Sequence, residues 1–137
     1  MLSVLLLHQQ EFKRDSIIRK KISIMKNLRN QVQLIGHLGA DPEVKTLNSG
    51  TKVARFSLAT SDYYKDKEGN KIEDTQWHKI IAWNGSATFA DKFLKKGMEL
   101  VVSGKLVYGS YDDKEGNKRY TSEIVVSDML ILSKKED

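Results

Sequence analysis

The chain has 137 residues, of which 39% are hydrophobic and 30% charged, a composition typical of a single soluble globular domain. It contains no cysteine, which excludes disulfides, thiol catalysis and thiolate metal sites. Its net charge of +5 favours a polyanionic partner. Residues 1–24 hold five basic and two acidic side chains and so carry a net charge of +3, which leaves +2 for the other 113 residues. A nucleic-acid partner would therefore have to be held by a local patch and by contacts other than charge.

Residues 1–24 differ in character from the rest of the chain, because they mix Leu, Ile, Gln and basic residues without turn signals or a regular period. We expect a disordered extension here, with Met25 as an alternative start of the protein; a basic arm that adds phosphate contacts is the second interpretation. The apolar run at residues 1–7 has no basic region before it, has no small-residue cleavage site after it and is too short to span a bilayer. We therefore expect a soluble, cytoplasmic protein with no membrane partner.

From residue 32 onward the pattern predicts mainly strands. The first strand contains two glycines, which permit a sharp bend or a close backbone approach, and Asp41-Pro42 ends it. Alternating and β-branched residues predict five strands in all, at residues 32–39, 51–61, 75–83, 98–108 and 119–132.

One segment between the third and fourth predicted strands interrupts this pattern. Residues 85–97 predict a short amphipathic helix, with Ser86 as its N-cap and with Phe89, Phe93 and Leu94 on its apolar face. Five strands with one helix between the third and fourth is the order of the OB fold, an all-β, five-stranded barrel. An open α+β sheet has the same number of elements and stays the alternative.

Two hairpins are predicted from an internal repeat. Residues 64–71 (YKDKEGNK) are nearly repeated at residues 111–118 (YDDKEGNK), and each copy lies between two predicted strands with a Gly-Asn turn at its tip. Tyr64 and Tyr111 stand at the bases of the two hairpins, with lysines close by. Two hairpins that present a ring beside basic residues are suited to form the walls of a groove for a single nucleic-acid strand.

The third predicted strand carries both tryptophans of the chain. A lysine between two buried rings would be costly, so the lysine between them favours an exposed face, although paired tryptophans that pack in a core are the alternative. Unpaired bases gain about 1–3 kcal/mol on an aromatic ring, and a nearby lysine meets the phosphates. Alternation puts Trp77, Lys79, Ile81 and Trp83 on this binding face and puts His78, Ile80 and Ala82 on a core or subunit face.

The chain resembles the bacterial single-stranded DNA-binding protein family over about residues 27–132. The resemblance keeps the order and nearly the spacing of the family's segments, and it makes Met25 the expected native start. It is carried by residues 36–44 (GHLGADPEV), 56–61 (FSLATS), 75–79 (TQWHK), 93–97 (FLKKG), 104–106 (GKL) and 120–126 (YTSEIVV).

The resemblance implies an OB-fold homotetramer that coats single-stranded DNA without sequence preference in DNA replication, recombination and repair. It implies that Lys45 and Lys79 contact the DNA backbone and that His78 is a structural residue near a subunit interface. The base-stacking aromatic positions of the family fall on Tyr64, Trp77, Trp83 and Tyr111.

Three features depart from the family pattern. Tyr64 and Tyr111 stand where tryptophan is common, so we expect stacking on a smaller ring. Several basic family positions around residues 106–110 are apolar or neutral here, which weakens that part of the DNA track. Residues 133–137 (SKKED) carry no Gly/Pro/Gln-rich linker and no acidic tip, so we do not expect a tail that recruits repair enzymes. We expect this character in a phage or mobile-element paralogue or in a specialised second copy.

Two other classes of function compete with DNA coating. A metal-dependent nuclease needs converging carboxylates, but the acidic residues cluster at the hairpin tips among lysines, and three histidines without cysteine do not suit zinc. We therefore expect no catalytic residue, no metal, no cofactor and no enzyme activity. An OB-fold protein-interaction subunit of a replication assembly stays the alternative, although it would tend to lose the stacking rings that this chain keeps.

Overall fold

The structure is a computed structural model that describes Arg14, residues 16–18 and residues 28–133. The chain divides into two compact units, Met1–Gln31 and Val32–Asp137. In the first unit, Arg14 and residues 16–18 are helical and exposed. The rest of the predicted extension at residues 1–24 lies outside the described residues, and so do residues 134–137 of the predicted tail. The extension and the tail therefore stay predictions.

The second unit is built from long strands and one short helix. All five predicted strands and the predicted helix are present, and four of the strands run 13 or 14 residues because their hairpins continue beyond the barrel. One four-residue strand was not predicted. The elements are β1 (Val32–Leu38), β2 (Glu43–Thr46), β3 (Lys52–Lys65), β4 (Lys71–Trp83), α1 (Gly85–Phe93), β5 (Glu99–Asp112) and β6 (Lys118–Ile131).

The strands close into a barrel. Their order is β1-β5-β6-β4-β3-β2, and β1 also pairs with β3 at Leu38 and Leu58, so that five strands form a ring and β2 lies at the edge of β3. The pairing of β4 with β6, at Ile80 and Ile124, is parallel, and the other pairs are antiparallel. This topology confirms the predicted all-β OB-fold barrel with its helix between the third and fourth barrel strands, and it excludes the open α+β sheet.

The core follows from strand alternation. On β3 every second side chain points into the barrel, as Phe56 and Leu58 do, and on β4 the inward residues include Ile80. Within the described part of the chain no polar or charged side chain is buried. The core cluster comprises Leu38, Ala54, Phe56, Leu58, Ile80, Ala82, Ala87, Ala90, Leu94, Leu100, Val102 and Ile124.

The helix begins earlier than predicted. Asn84, with a φ of 54°, occupies the N-cap position, so the prediction of Ser86 as N-cap is wrong. The backbone explains the difference, because the Asn84 amide donates to the Lys52 carbonyl at 2.8 Å and thereby turns the chain at this residue. The helix also ends earlier than predicted, at Phe93 instead of near residue 97, and Leu94 follows it in an extended conformation. The predicted apolar face is partly wrong as well: Leu94 is buried and Phe89 packs against the core, but Phe93 is 53% exposed.

The two repeated segments form the same turn. In the β3–β4 loop the Asp66 carboxylate accepts hydrogen bonds from the amides of Glu68 (3.0 Å) and Asn70 (2.8 Å). In the β5–β6 loop the carboxylate of Asp113 accepts the equivalent two bonds at the same distances. The glycine of each turn has a φ above 80°, which suits glycine. The repeated sequence is therefore a repeated structure at the tips of two hairpins.

Asp113 gives the second hairpin a defined response to acid. The Asn117 amide and, to a smaller extent, the Arg119 guanidinium and the Glu115 amide lower the pKa of Asp113 below its ordinary value of 3.8. Because the pKa of Asp113 is lower in the folded state, its ionised carboxylate stabilises the folded hairpin. This stabilisation is complete above the unfolded pKa and is lost as pH falls through the folded pKa. We expect a carboxyl NMR titration to show this low pKa and Arg119→Gln to raise it; an unchanged pKa in that variant would contradict the assignment.

Candidate nucleic-acid interface

One face of the β3–β4 pair carries the two tryptophans. Trp77 is 62% exposed and Trp83 is 38% exposed, and Lys79 between them is exposed. These two rings are therefore not core residues, and they lie with Lys79 on the face that alternation predicts. The prediction was wrong for Ile81, which is buried because β4 pairs with β6 there and its partner is Val125.

The Trp77 ring lies against the backbone that leaves β1. A Cβ atom placed on Gly39 would be 2.5 Å from Cζ3 of this ring, so only a glycine allows the present ring position. Gly39 thus positions the most exposed tryptophan of the barrel. Sequence reasoning missed this role, although Gly39 belongs to the 36–44 segment that carried the family resemblance.

Substitution of Gly39 tests this positioning. We expect Gly39→Ala to displace the Trp77 ring, shift the tryptophan emission and weaken oligo-dT binding by about fivefold. This factor corresponds to about 1 kcal/mol, the lower end of the range for one base–aromatic contact. Fluorescence spectra and anisotropy titration measure both effects. Gly85→Ala is the matched control because a Cβ there meets nothing within 4 Å. Equal spectra for the two variants would show that Gly39 does not set the ring position.

An open groove of about 200 Å³ lies beside Trp77, between β4 and β6. The two strands pair at Ile80 and Ile124 but not at the preceding residues, where they separate. The groove brings the predicted binding residues Trp77 and Lys79 together with side chains from β5 and β6 that sequence reasoning missed. Its lining comprises Trp77, His78, Lys79, Leu106, Tyr120, Thr121, Ser122 and Ile124.

The hairpin tyrosines lie farther out. Tyr64 pairs with Ile72 and is 56% exposed, and Tyr111 pairs with Arg119 and is 57% exposed. Alternation puts Tyr64 on the opposite face of β3 from Ala59, the partner of Trp77. The structure therefore places the four predicted stacking rings on the surface but does not bring Tyr64 onto the face of Trp77.

Lys45 and His78 occupy different surroundings. Lys45 is exposed on β2, with its Nζ 3.7 Å from Glu43 Oε1, and it shares a rung with Val53 and, through Val53, with Trp83. His78 is half-buried on the opposite face of β4 from Trp77, and its Nε2 lies 2.8 Å from the Thr60 hydroxyl. Lys45 thus flanks the tryptophan face. His78 lines the groove together with Trp77 and Lys79, and its role near a subunit interface stays a prediction.

The chain matches the model of the Single-strand binding protein family over residues 29–132. It belongs to this family. It is 48% identical to single-stranded DNA-binding protein 1 of Xylella fastidiosa over 109 residues, which cover 79% of this chain and 80% of that protein. It is 47% identical to single-stranded DNA-binding protein 1 of Chlorobaculum tepidum over 108 residues, or 78% and 67% of the two chains.

Solved structures of family members have the same fold. One is described as a Plasmodium falciparum SSB complex with ssDNA; it superposes with a TM-score of 0.70 at 33% identity and covers 76% of this chain and 95% of that one. A deletion mutant of the Thermus aquaticus single-stranded DNA binding protein superposes with a TM-score of 0.66 at 28% identity, over 76% of this chain and 50% of that one.

The carboxylates of this family member act mainly in its scaffold. Asp66 and Asp113 hold the two hairpin turns, Asp91 pairs with Lys52 at 2.8 Å, and Glu123 pairs with Arg55 at 3.1 Å. Within the described ranges no three His, Asp or Glu residues are placed to hold a metal ion. No helix among the same residues has the length and apolar character needed to cross a membrane.

Proposed function

We propose that this protein binds single-stranded DNA without sequence preference and protects it during DNA replication, recombination and repair. The observation that carries this function is the exposed Trp77 ring beside Lys79 on the wall of an open groove. Family membership and the solved neighbour described as a complex with ssDNA support it. Single-stranded DNA suits this surface because only unpaired bases expose both π faces to a ring.

Stacking must supply much of the affinity. The net charge outside residues 1–24 is small, so phosphate attraction over the whole domain is weak. Each base that stacks on an aromatic ring contributes about 1–3 kcal/mol whatever its identity, which gives affinity without sequence preference. We assign stacking to Tyr64, Trp77, Trp83 and Tyr111, and phosphate contacts to Lys45 and Lys79.

A homotetramer is part of the proposal. Ile35 on β1 pairs with Val101 on β5, which pairs with Leu130 on β6, and Ile35 and Leu130 are 60% and 62% exposed. This apolar row crosses three neighbouring strands. On the edge of β1 that does not pair with β5, the described residues show pairing with β3 only at His37 and Leu38. A second copy that packs on this face would remove the row from water. Light scattering of wild type and Leu130→Glu tests the assembly, since the charge is expected to lower the mass.

We propose a binding role and not a catalytic one, in the cytoplasm beside the nucleoid. The turn and ion-pair roles of the carboxylates support this, because they already have partners in the scaffold. Incubation with labelled single-stranded DNA and Mg²⁺ tests it, and the DNA is expected to stay intact. Shortened products that persist after repurification would instead favour a nuclease.

The decisive experiment is a titration with oligo-dT that follows tryptophan fluorescence at low and high salt, with duplex DNA as the control. We expect strong quenching by dT, little by duplex, and an affinity that falls with salt by a slope of about −0.7 per phosphate neutralised. No change in fluorescence and no binding at low salt would favour the second candidate, an OB-fold protein-interaction subunit of a replication assembly.

A further inference from the structure

Each hairpin carries a lysine that lies over a tyrosine ring. The Lys71 Nζ is 4.3 Å from the centroid of the Tyr63 ring, and the Lys118 Nζ is 5.8 Å from the centroid of the Tyr120 ring. Both distances are within the range of cation–π attraction, about 6 Å. Tyr63 is 59% exposed and Tyr120 is 78% exposed, so both rings keep surface for a ligand.

The two lysines are equivalent in the internal repeat, and the two tyrosines lie just outside it. Lys71 and Lys118 are the last residues of the two repeated segments. Tyr63 pairs across its hairpin with Glu73, and Tyr120 pairs across its hairpin with Ser110. These two rungs correspond to each other, with the tyrosine on the first strand of one hairpin and on the second strand of the other. Each hairpin therefore presents a lysine and a tyrosine ring at corresponding rungs, with the lysine across the hairpin from Tyr63 and on the same strand as Tyr120.

One of the two rings shares the Trp77 face, and the other lines the groove beside Trp77. Tyr63 lies four residues beyond Ala59, the partner of Trp77, and so shares its face of the β3–β4 pair. Tyr120 lines the groove together with Trp77. Tyr64 lies on the opposite face from Tyr63, and Tyr111, which pairs with Arg119, lies on the opposite face from Tyr120. Because Ile81 pairs with Val125, alternation puts Tyr111 on the Trp77 face of the sheet and Tyr120 on the Ile124 face, so Tyr120 meets Trp77 only at the groove.

We propose that Tyr63 and Tyr120 are base-stacking residues and that the groove between Trp77 and Tyr120 takes one unstacked base of the bound strand. This inference rests on the proposed function and adds the path of the DNA, from one hairpin over Trp77 to the other. Lys71 and Lys118 meet the phosphates on either side. The hydroxyls of Thr121 and Ser122 in the groove both donate and accept hydrogen bonds, so they accommodate any base edge.

The test compares variants by anisotropy of a labelled oligo-dT at several salt concentrations. We expect Tyr63→Ala and Tyr120→Ala each to weaken binding about fivefold or more and to leave the salt slope unchanged. Phenylalanine at either position keeps the ring and is expected to restore most of the affinity. The double variant K71M/K118M is expected to flatten the salt slope by about 1.4, at about 0.7 for each phosphate that a lysine no longer neutralises.

Matched controls come from α1, which lies at the opposite end of the barrel from the hairpin tips, since β4 runs from the first hairpin loop to α1. Lys92→Met removes an exposed charge, and Phe93→Ala removes a ring that is 53% exposed. Neither is expected to change the affinity or the salt slope. Thermal unfolding of every variant shows whether it is folded.

The outcomes separate this inference from the function on which it rests. If Y63A/Y120A binds dT like wild type while Trp77→Ala does not, the path over the two lysine–tyrosine units is wrong and DNA binding stands. If wild type itself fails to bind dT at low salt, the proposed function fails. If phenylalanine does not restore affinity to the Tyr63 and Tyr120 positions, the rings do not act by stacking and the inference is overturned.

Discussion

Trp77→Ala is expected to weaken the binding of oligo-dT by about 5- to 150-fold, the equivalent of the roughly 1–3 kcal/mol that one base–aromatic contact contributes. Trp77 combines high exposure, a ring held against Gly39 and a position on the groove wall beside Lys79. No other aromatic side chain in the described part of the chain combines these three properties. Anisotropy titration with labelled dT measures the loss.

The controls for this variant are within the same strand. Trp77→Phe keeps a ring and is expected to keep most of the affinity, whereas Trp83→Ala is expected to cost less than Trp77→Ala because Trp83 is only 38% exposed. The unfolding temperature of Trp77→Ala is expected to stay close to that of wild type, since this ring is largely outside the core. A variant that binds dT as tightly as wild type would remove Trp77 from the interface.

Strand alternation explains why the barrel could be predicted. Phe56 and Leu58 on β3 and Ile80 on β4 repeat at period two, and each faces the core. The hairpin extensions lack this signal, because residues such as Asp62 and Lys65 are exposed on both faces while the backbone pairing continues. The strand β2 was missed for the same reason: its four residues are polar apart from Val44 and follow Pro42.

Only the part of the candidate site that lies on a single strand could be predicted from the sequence. Trp77, Lys79 and Trp83 lie on one strand, so their common face follows from local periodicity. Gly39 comes close to Trp77 because β1 ends beside β3 at Ala59, the partner of Trp77. Tyr120 lines the same groove as Trp77 because β6 separates from β4 there. Contacts between residues this far apart in the chain depend on barrel closure, which local pattern does not encode.

The capping error has a similar origin. Ser86 is a favourable N-cap by residue type, but the helix starts after Asn84, whose amide bonds to Lys52 on β3. Asn84 also tolerates the positive φ at this position better than most non-glycine residues. A tertiary hydrogen bond thus overrides the local preference that the sequence displays.

Gly36→Ala and Gly104→Ala are each expected to destabilise the barrel by about 3 kcal/mol or more, the upper end of the overpacking range. A Cβ on Gly36 would be 2.2 Å from the Ala59 carbonyl oxygen, and a Cβ on Gly104 would be 2.2 Å from the Val125 carbonyl oxygen. Both obstacles are backbone atoms, so relief requires that a strand move and not that a side chain rotate.

These two glycines lie at the closure of the barrel and at an irregularity in its strand pairing. Gly36 is on β1 just before the strand meets β3, and Gly104 is at the register shift between β5 and β6. Thermal and urea unfolding measure the effect, with a loss of about 10 °C or more expected in the unfolding temperature. Gly85→Ala is the matched control, since its Cβ meets nothing within 4 Å and alanine favours the helix by up to about 1 kcal/mol. Wild-type stability in Gly36→Ala would mean that β1 can shift away from β3 without opening the barrel.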